Sequence, residues 1–165
     1  MQLEPLQHQD FLVAQQIHAV LTQAYAQEAQ LLGLQDFTPL QRTVADLQAD
    51  ADAYLGARLA NELLGALAFG PDPEGGQLLV SMLVVAPSHQ RRGVARALLQ
   101  HVLSLAGPWP VAVATAQANR PAVALYQSLG FVAYRQGIVG PDALPIVKLR
   151  LSASPSPITA QRATP

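Results

Sequence analysis

The sequence contains no cysteine, and this absence excludes several kinds of chemistry at once. Disulfides, thiolate nucleophiles and cysteine-ligated metals all need that side chain. The four histidines show no HxxxH or HxH spacing; they are His8, His18, His89 and His101. We therefore expect no metal site.

Charge is scarce as well. Lysine, arginine, aspartate and glutamate make up 13% of the 165 residues, and the formal net charge is −1. Because nucleic-acid binding usually needs a basic face, we expect no nucleic-acid partner. No apolar run reaches the roughly 18 residues of a membrane span, and the first ten residues do not resemble a secretory signal. We therefore expect a cytoplasmic protein with no membrane partner.

The sequence does contain enough apolar residues for a core, since 50% of them are hydrophobic. Their periodicity predicts the element order β-α-α-β-β-β-α-β-α-β-β. This order indicates a layered α/β (α+β) domain with a mixed sheet, which we place at residues 1–151. Residues 152–165 are rich in serine, proline and alanine, and we expect them to form a disordered tail.

Two local predictions are specific enough to be tested by a structure. Thr38, followed by Pro39, is predicted to cap a second helix that runs toward Asp50. Two apolar runs flank Asn61 and Glu62, and this pair is predicted to be the turn of a β-hairpin.

The stretch VVAPSHQRRGVARALLQ, residues 84–100, combines an apolar strand, a polar loop and a helix predicted over residues 92–106. The first N–H groups of such a helix have no internal partner and lie at the positive end of its dipole, so a phosphate would fit there. Gly93 would let the backbone approach the ligand closely, and Arg91 and Arg92 add positive charge. The competing interpretation is an ordinary helix start with two solvated arginines.

Two motifs resemble the GCN5-related N-acetyltransferase (GNAT) superfamily. QRRGVA is similar to its Q/R-x-x-G-x-G/A signature, and NRPAVALYQSLGFVAY is similar to its N-x-x-A-x-x-L-Y-x-x-x-G-F motif. The resemblance covers about Leu55 to Leu151. It implies a mixed, mostly antiparallel central sheet with a splayed strand pair flanked by helices. It also implies an acyltransferase, namely an acetyl-CoA-dependent N-acetyltransferase.

The resemblance further implies where the cosubstrate acetyl-CoA would bind. In the family, loop amides hold the pyrophosphate, and the exposed central strand pairs with the pantetheine arm. Carried over by position, the cofactor-binding residues are Leu83, Val85, Gln90, Arg91, Arg92, Gly93, Val94, Ala95, Arg96, Asn119 and Tyr126. Asn119 is also predicted to be a helix N-cap, and Tyr126 has a second interpretation as a core residue.

The family mechanism implies direct attack by a neutral primary amine of a small molecule or peptide. Tyr126 would be the catalytic acid that protonates the leaving thiolate, and a backbone N–H near Val85 would stabilise the oxyanion. The general base stays open, because Ser81 occupies the position at which many relatives carry glutamate. Glu28 on the first helix is one candidate, with a solvated helix face as its competing interpretation, and a water relay is another.

The acceptor is the least defined part of the prediction. The expected acceptor side lacks clustered acids apart from Asp46, Asp50 and Asp52, while Tyr25 and Phe37 indicate a modest, partly apolar pocket. The sequence leaves two alternatives to the enzyme, a non-catalytic acyl-CoA-binding regulatory module and a plain phosphate-binding domain. Acceptor identity, acyl-chain preference and a homodimer, which is common in the family, also stay open.

Overall fold

A computed structural model describes residues 1–152 of the chain. Their elements, in chain order, are β1 (Gln2–Pro5), α1 (Phe11–Leu32), a 3-10 turn (Thr38–Gln41), α2 (Val44–Ala49), β2 (Ala53–Leu59), β3 (Glu62–Pro71), β4 (Leu78–Val85), a 3-10 turn (Pro87–His89), α3 (Val94–Ala106), β5 (Val111–Ala116), α4 (Arg120–Ser128), β6 (Val132–Val139) and β7 (Leu144–Leu151). The tail predicted from residue 152 onward falls almost wholly on residues 153–165, outside the described part.

The strands form a single sheet in the order β1-β2-β3-β4-β5-β7-β6. Every neighbouring pair is antiparallel except β4 and β5, which are parallel. The predicted mixed, mostly antiparallel sheet is therefore confirmed. No helix in the described part of the chain has the length and apolar character needed to cross a bilayer.

Helices cover both faces of the sheet and bury two apolar clusters. On one face, α1 and α2 pack against β3 and β4 around Ile17, Leu21 and Leu47, which are fully buried. On the other face, α3 packs against β2, β3 and β4 through Leu98 and Leu99. The central strand β4 is thus enclosed on both faces, which explains why every residue in it except Ser81 is apolar.

The predicted second helix from Thr38 to Asp50 is wrong, because the segment folds as two short pieces. Arg42 is extended (φ −65, ψ 126) and separates the 3-10 turn from α2. Thr43 then starts a new cap: its hydroxyl accepts from the Asp46 N–H, and the Asp46 carboxylate accepts from the Thr43 N–H. This reciprocal capping box fixes a helix start at Thr43 and breaks the longer helix.

The predicted hairpin is present, but its turn lies one residue earlier than expected. Leu59 pairs with Glu62, so the turn residues are Ala60 and Asn61 and Glu62 already belongs to β3. Ala60 adopts a left-handed conformation with φ 51. Because alanine gives no sequence signal for that conformation, the pattern could not place the turn.

Strands β4 and β5 separate midway along their length. Residues 78–80 pair with residues 111–113, but beyond that point β4 keeps only β3 as a strand partner and β5 keeps only β7. Residues 81–85 of β4 therefore present an open edge toward β5. The splayed strand pair that the resemblance implies is confirmed, and it opens a gap in the middle of the sheet.

The buried carboxylate of Asp72 joins the β3–β4 turn to β7. Asp72 accepts hydrogen bonds from Lys148 Nζ and Gln77 Nε2, both at 2.8 Å, and from the Glu74 N–H at 3.0 Å. Burial alone would raise its pKa, but the hydrogen bonds from Lys148 and Gln77 lower the pKa of Asp72 to about 2. The ionised form is therefore the one that the fold stabilises.

We expect Asp72→Asn to lower the free energy of unfolding by about 2 kcal/mol near neutral pH, because hydrogen bonds to a charged group are lost. Since the folded pKa is depressed, this contribution is present above the unfolded pKa of about 3.9 and is lost as the pH falls toward 2. Urea unfolding of both proteins from neutral to acidic pH would show the difference shrinking in that window. The exposed pair Glu74–Arg135 supplies the control Glu74→Gln, for which we expect no resolvable change in the same measurement.

Candidate active site

The loop before α3 presents a row of unpaired backbone donors. Helix α3 begins at Val94, two residues later than predicted, because Gly93 is its N-cap with φ 80; Arg91 is also left-handed, with φ 59. Within the described part of the chain, no backbone N–H from residue 91 to residue 96 donates a hydrogen bond to another group. Free amides at the positive end of a helix are suited to bind a phosphate.

Side chains hold this loop in place from both sides. Gln90 Nε2 donates to Gln27 Oε1 at 2.6 Å and to the Val85 carbonyl at 3.3 Å, which joins the loop to α1 and to the end of β4. Arg96 Nη2 donates to Ser128 Oγ at 2.7 Å, which joins the first turn of α3 to α4. The amides are therefore positioned before any ligand arrives, and this reduces the entropy cost of binding.

A cavity of about 820 Å³ extends from this loop along the open edge of β4, between α1, α3 and α4. It is lined by most of the residues predicted to bind the cofactor: Leu83, Val85, Gln90, Arg91, Gly93, Val94, Ala95, Arg96, Asn119 and Tyr126. Arg92 does not line it, and its exposed side chain lies outside the lining. The structure thus brings together ten residues that lie up to 43 positions apart, from Leu83 to Tyr126.

A second cavity, of about 870 Å³, lies beyond the first, and we call it the acceptor cavity. Tyr25 and Phe37 line it, as predicted, with their ring centroids 5.8 Å apart in an edge-on arrangement. Clustered acids were expected to be missing here apart from Asp46, Asp50 and Asp52, and this expectation is correct only for Asp46. Four carboxylates line the acceptor cavity, from Glu28, Asp36, Asp46 and Asp142, whereas Asp50 and Asp52 do not.

The two cavities meet where β4 and β5 diverge. Six residues line both of them: Tyr25, Glu28, Leu83, Asn119, Ala122 and Tyr126. We call this shared part the junction. A ligand that extends along the first cavity and a second ligand in the acceptor cavity would therefore meet at the junction.

Tyr126 places a protonated hydroxyl at the junction. Its ring is buried and packs on Phe131, with centroids 5.8 Å apart, as the core interpretation requires. Its hydroxyl bonds to no described residue, yet no described polar atom is both fully buried and unpaired, so the hydroxyl opens into the cavity. Burial, and then the negative charge of Glu28, raise the pKa of Tyr126. The phenol therefore stays protonated and can donate.

Glu28 also lies at the junction, so the interpretation as a solvated helix face is wrong. Asn119 caps α4, with its Oδ1 accepting from the Ala122 N–H at 3.3 Å, and its Nδ2 donates to Glu28 Oε1 at 3.1 Å. Burial raises the pKa of Glu28, and the hydrogen bond from Asn119 partly opposes that effect. The i, i+3 spacing from Tyr25 and the i, i+7 spacing from the buried Leu21 are the sequence signals that place Glu28 on an inward face.

Ser81, the residue at the expected glutamate position, lies in a β-bulge. Ala68 pairs with Met82 and Phe69 pairs with Val80, so Ser81 is the extra residue on β4. Its hydroxyl donates to Asp52 Oδ2 at 2.5 Å and it lines the acceptor cavity. The Ser81 hydroxyl is therefore bonded to a carboxylate, which belongs to Asp52, the residue before β2.

The absent side chain of Gly70 makes room for this carboxylate. A Cβ atom at Gly70 would lie 2.2 Å from Asp52 Oδ1, which is far inside van der Waals contact.

Neither this carboxylate nor those of the acceptor cavity forms a metal centre: residues 1–152 contain no group of three or more histidine, aspartate or glutamate side chains arranged to hold a metal ion.

Comparisons with known proteins give a consistent picture. The family model described as the acetyltransferase (GNAT) family matches residues 15–131. The UPF0157 protein YqkA of Bacillus subtilis is 35% identical over 130 residues, which are 78% of this chain and 37% of YqkA. This chain therefore spans little more than a third of the length of that relative.

Solved structures show the same fold. The ribosomal-protein-S18-alanine N-acetyltransferase of Escherichia coli superimposes with a TM-score of 0.72 at 17% identity, covering 96% of this chain and 97% of that one. The putative acetyltransferase yncA of Salmonella typhimurium, solved with its cofactor acetyl-CoA, gives 0.69 at 16% identity, covering 94% and 95%. The family match confirms the predicted resemblance. The chain belongs to the acetyltransferase (GNAT) family.

Proposed function

We propose that this chain transfers the acetyl group of acetyl-CoA to a primary amine of a small molecule or peptide, by direct attack of the amine on the thioester. The observation that carries the proposal is the meeting of two cavities at the Tyr126 hydroxyl, one of which ends at the unpaired amides of residues 91–96. Membership in an acetyltransferase family supports it.

The first cavity fits the parts of acetyl-CoA in order. The free amides of residues 91–96 would bind the pyrophosphate, whose negative charge matches the positive end of α3. The open edge of β4 at residues 81–85 would pair with the amides of the pantetheine arm, because buried backbone groups need a partner. The thioester would then lie at the junction beside Tyr126.

The chemistry at the junction follows from this placement. The amine lone pair attacks the carbonyl carbon, and the oxyanion that forms accepts a hydrogen bond from a backbone N–H of the open β4 edge near Val85. The carbon–sulfur bond then breaks. Tyr126 donates its proton to the leaving sulfur, which gives free CoA and the acetylated amine.

The acceptor cavity favours a positively charged amine with an apolar body. Glu28, Asp36, Asp46 and Asp142 line it, while its one arginine, Arg42, is paired with Asp50 at 2.5 Å. Its apolar lining includes Leu34, Phe37, Pro39, Val139, Leu144 and Ile146. Since carboxylates attract an ammonium group through a field that salt screens, acceptor binding should depend on ionic strength.

A thiol-release assay with a panel of amines tests the proposal. We expect turnover of primary amines that carry an apolar group, and a KM for the amine that rises several-fold between about 0.02 and 0.5 M salt, because surface charges are screened. Neutral nucleophiles such as alcohols are the control and should not react. Tight binding of acetyl-CoA without turnover of any amine would contradict the proposal and would favour the non-catalytic acyl-CoA-binding module.

A further inference from the structure

We propose that Glu28 is the general base that takes the proton from the acceptor amine, and that Asn119 is the residue that positions it. This inference rests on the proposed function, which leaves the base unassigned. Ser81 cannot fill that role alone, since a serine hydroxyl is not a proton acceptor near neutral pH.

The location of Glu28 is the first argument. Among the described residues that line both cavities, Glu28 supplies the only carboxylate. A general base must reach the proton of the attacking nitrogen directly or through one water. Because the amine must enter the junction to attack the thioester, it passes the carboxylate that stands there.

The orientation of the carboxylate is the second argument. The Asn119 side chain uses its Oδ1 to cap α4, which leaves its Nδ2 to donate to Glu28 Oε1 at 3.1 Å. No other described residue donates to Glu28, so its Oε2 is free to accept a proton from the amine. The helix cap therefore fixes the orientation of the Asn119 side-chain amide, and that amide in turn fixes the orientation of the Glu28 carboxylate.

The proton affinity of the site agrees with this role. Burial raises the pKa of Glu28 toward the working pH, whereas the pKa of the exposed Asp46 is lowered by its bonds to Thr43. A base works best when its pKa is near the operating pH. In this respect Glu28 differs from Asp46, which lines only the acceptor cavity.

Titratable groups from several elements line the cavities with Glu28. Tyr25 on the same helix and Tyr126 on α4 share the junction with it, and burial followed by the charge of Glu28 raises the pKa of both, to about 12 for Tyr25. The remaining titratable groups that line the two cavities are Asp36, Arg42, Asp46 and Asp142 on the acceptor side and His89, Arg91 and Arg96 on the cofactor side. Since both tyrosines remain neutral, neither competes with Glu28 for the amine proton.

The proposed step balances as follows. Glu28 accepts one proton from the incoming ammonium group, and the free amine attacks the thioester carbon. As the carbon–sulfur bond breaks, Tyr126 protonates the sulfur, and the second proton lost by the nitrogen restores the Tyr126 hydroxyl through water. The sum is an amide, a thiol and one proton, which Glu28 releases to solvent.

The pair formed by Ser81 and Asp52 is the competing proton acceptor. Ser81 lines the acceptor cavity but not the junction, and Asp52 lines neither cavity. The Ser81 hydroxyl already donates to Asp52, so the carboxylate is reached only through the serine. Glu28 faces the junction without such an intermediary.

Glu28→Gln tests the inference, because glutamine keeps the shape and can still accept from Asn119. We expect kcat/KM for the amine to fall by about 100-fold near neutral pH, and the part of the decline toward acidic pH that protonation of Glu28 causes to disappear, since no base is left to protonate. The Kd for acetyl-CoA, from calorimetry on the same samples, should stay within about twofold of wild type. Glu74→Gln, at a residue that lines neither cavity, is the matched control and should retain full activity.

The outcomes separate the inference from the proposed function. If Glu28→Gln keeps the acidic decline and at least about a third of the wild-type kcat/KM, Glu28 is not the base. Loss of the acidic decline in Asp52→Asn instead would assign the role to the Ser81–Asp52 pair. Wild-type protein that neither binds acetyl-CoA nor turns over any amine would overturn the proposed function itself.

Discussion

Replacing Tyr126 by phenylalanine should lower kcat by about 100-fold or more while the Kd for acetyl-CoA stays within about twofold, because one general acid contributes 10² to 10⁴ in rate. The ring would still pack on Phe131, so the fold should persist. Only the hydroxyl that opens into the cavity is removed. Thiol release measures kcat, and calorimetry measures acetyl-CoA binding.

Tyr134→Phe is the matched control, since that tyrosine lies on β6 and accepts a hydrogen bond from Gln77 at 3.1 Å, away from both cavities. It should retain full activity. If Tyr126→Phe kept the wild-type kcat, Tyr126 would be a packing residue only. A loss of kcat accompanied by an equal loss of acetyl-CoA affinity would point to misfolding or to a binding role.

Replacing Gly93 by alanine should weaken acetyl-CoA binding by about 30-fold, which corresponds to about 2 kcal/mol. Gly93 has φ 80, a conformation that alanine adopts only with strain. The loop would therefore shift, and the amides of residues 93–96 would no longer point at the pyrophosphate. Each hydrogen bond to a charged group is worth about 1.5–3 kcal/mol, so losing one suffices. Calorimetry with acetyl-CoA measures the change.

Two comparisons make this prediction specific to the pyrophosphate. S-acetylpantetheine lacks the pyrophosphate, so its kcat/KM as an acetyl donor should change less than about threefold in Gly93→Ala. Gly75→Ala places alanine at φ 82 in the β3–β4 turn, with nothing within 4 Å, and should bind acetyl-CoA like the wild type. Equal losses for both donors would show that the loop does not bind the pyrophosphate.

The geometry of the loop that we propose to hold the cofactor could be predicted from the sequence because it is built from local rules. The unpaired amides, the left-handed Gly93 and the helix start all lie within a few residues of one another. Asn119 likewise caps the helix that carries Tyr126 only seven positions later. Short spacing lets local conformation decide where such groups point.

The acceptor half could not be predicted because it is assembled from distant segments. Glu28 meets Asn119 across 91 positions of sequence, and Ser81 meets Asp52 across 29. The acids of the acceptor cavity come from α1, from two loops and from α2, so no window of the sequence shows them as a cluster. One of these acids, Asp46, lies in the segment from Thr38 to Asp50. That segment was predicted to be a single helix, although the capping box at Thr43 divides it.

The structure of this chain with acetyl-CoA bound would test the central claim most directly, namely that the two cavities form one active site that meets at Tyr126. We expect the pyrophosphate oxygens within about 3.2 Å of backbone nitrogens of residues 91–96. We also expect the thioester sulfur beside the Tyr126 hydroxyl, with Glu28 facing the acetyl group from the acceptor side. A cofactor bound elsewhere with this loop empty, or a sulfur remote from Tyr126, would contradict it.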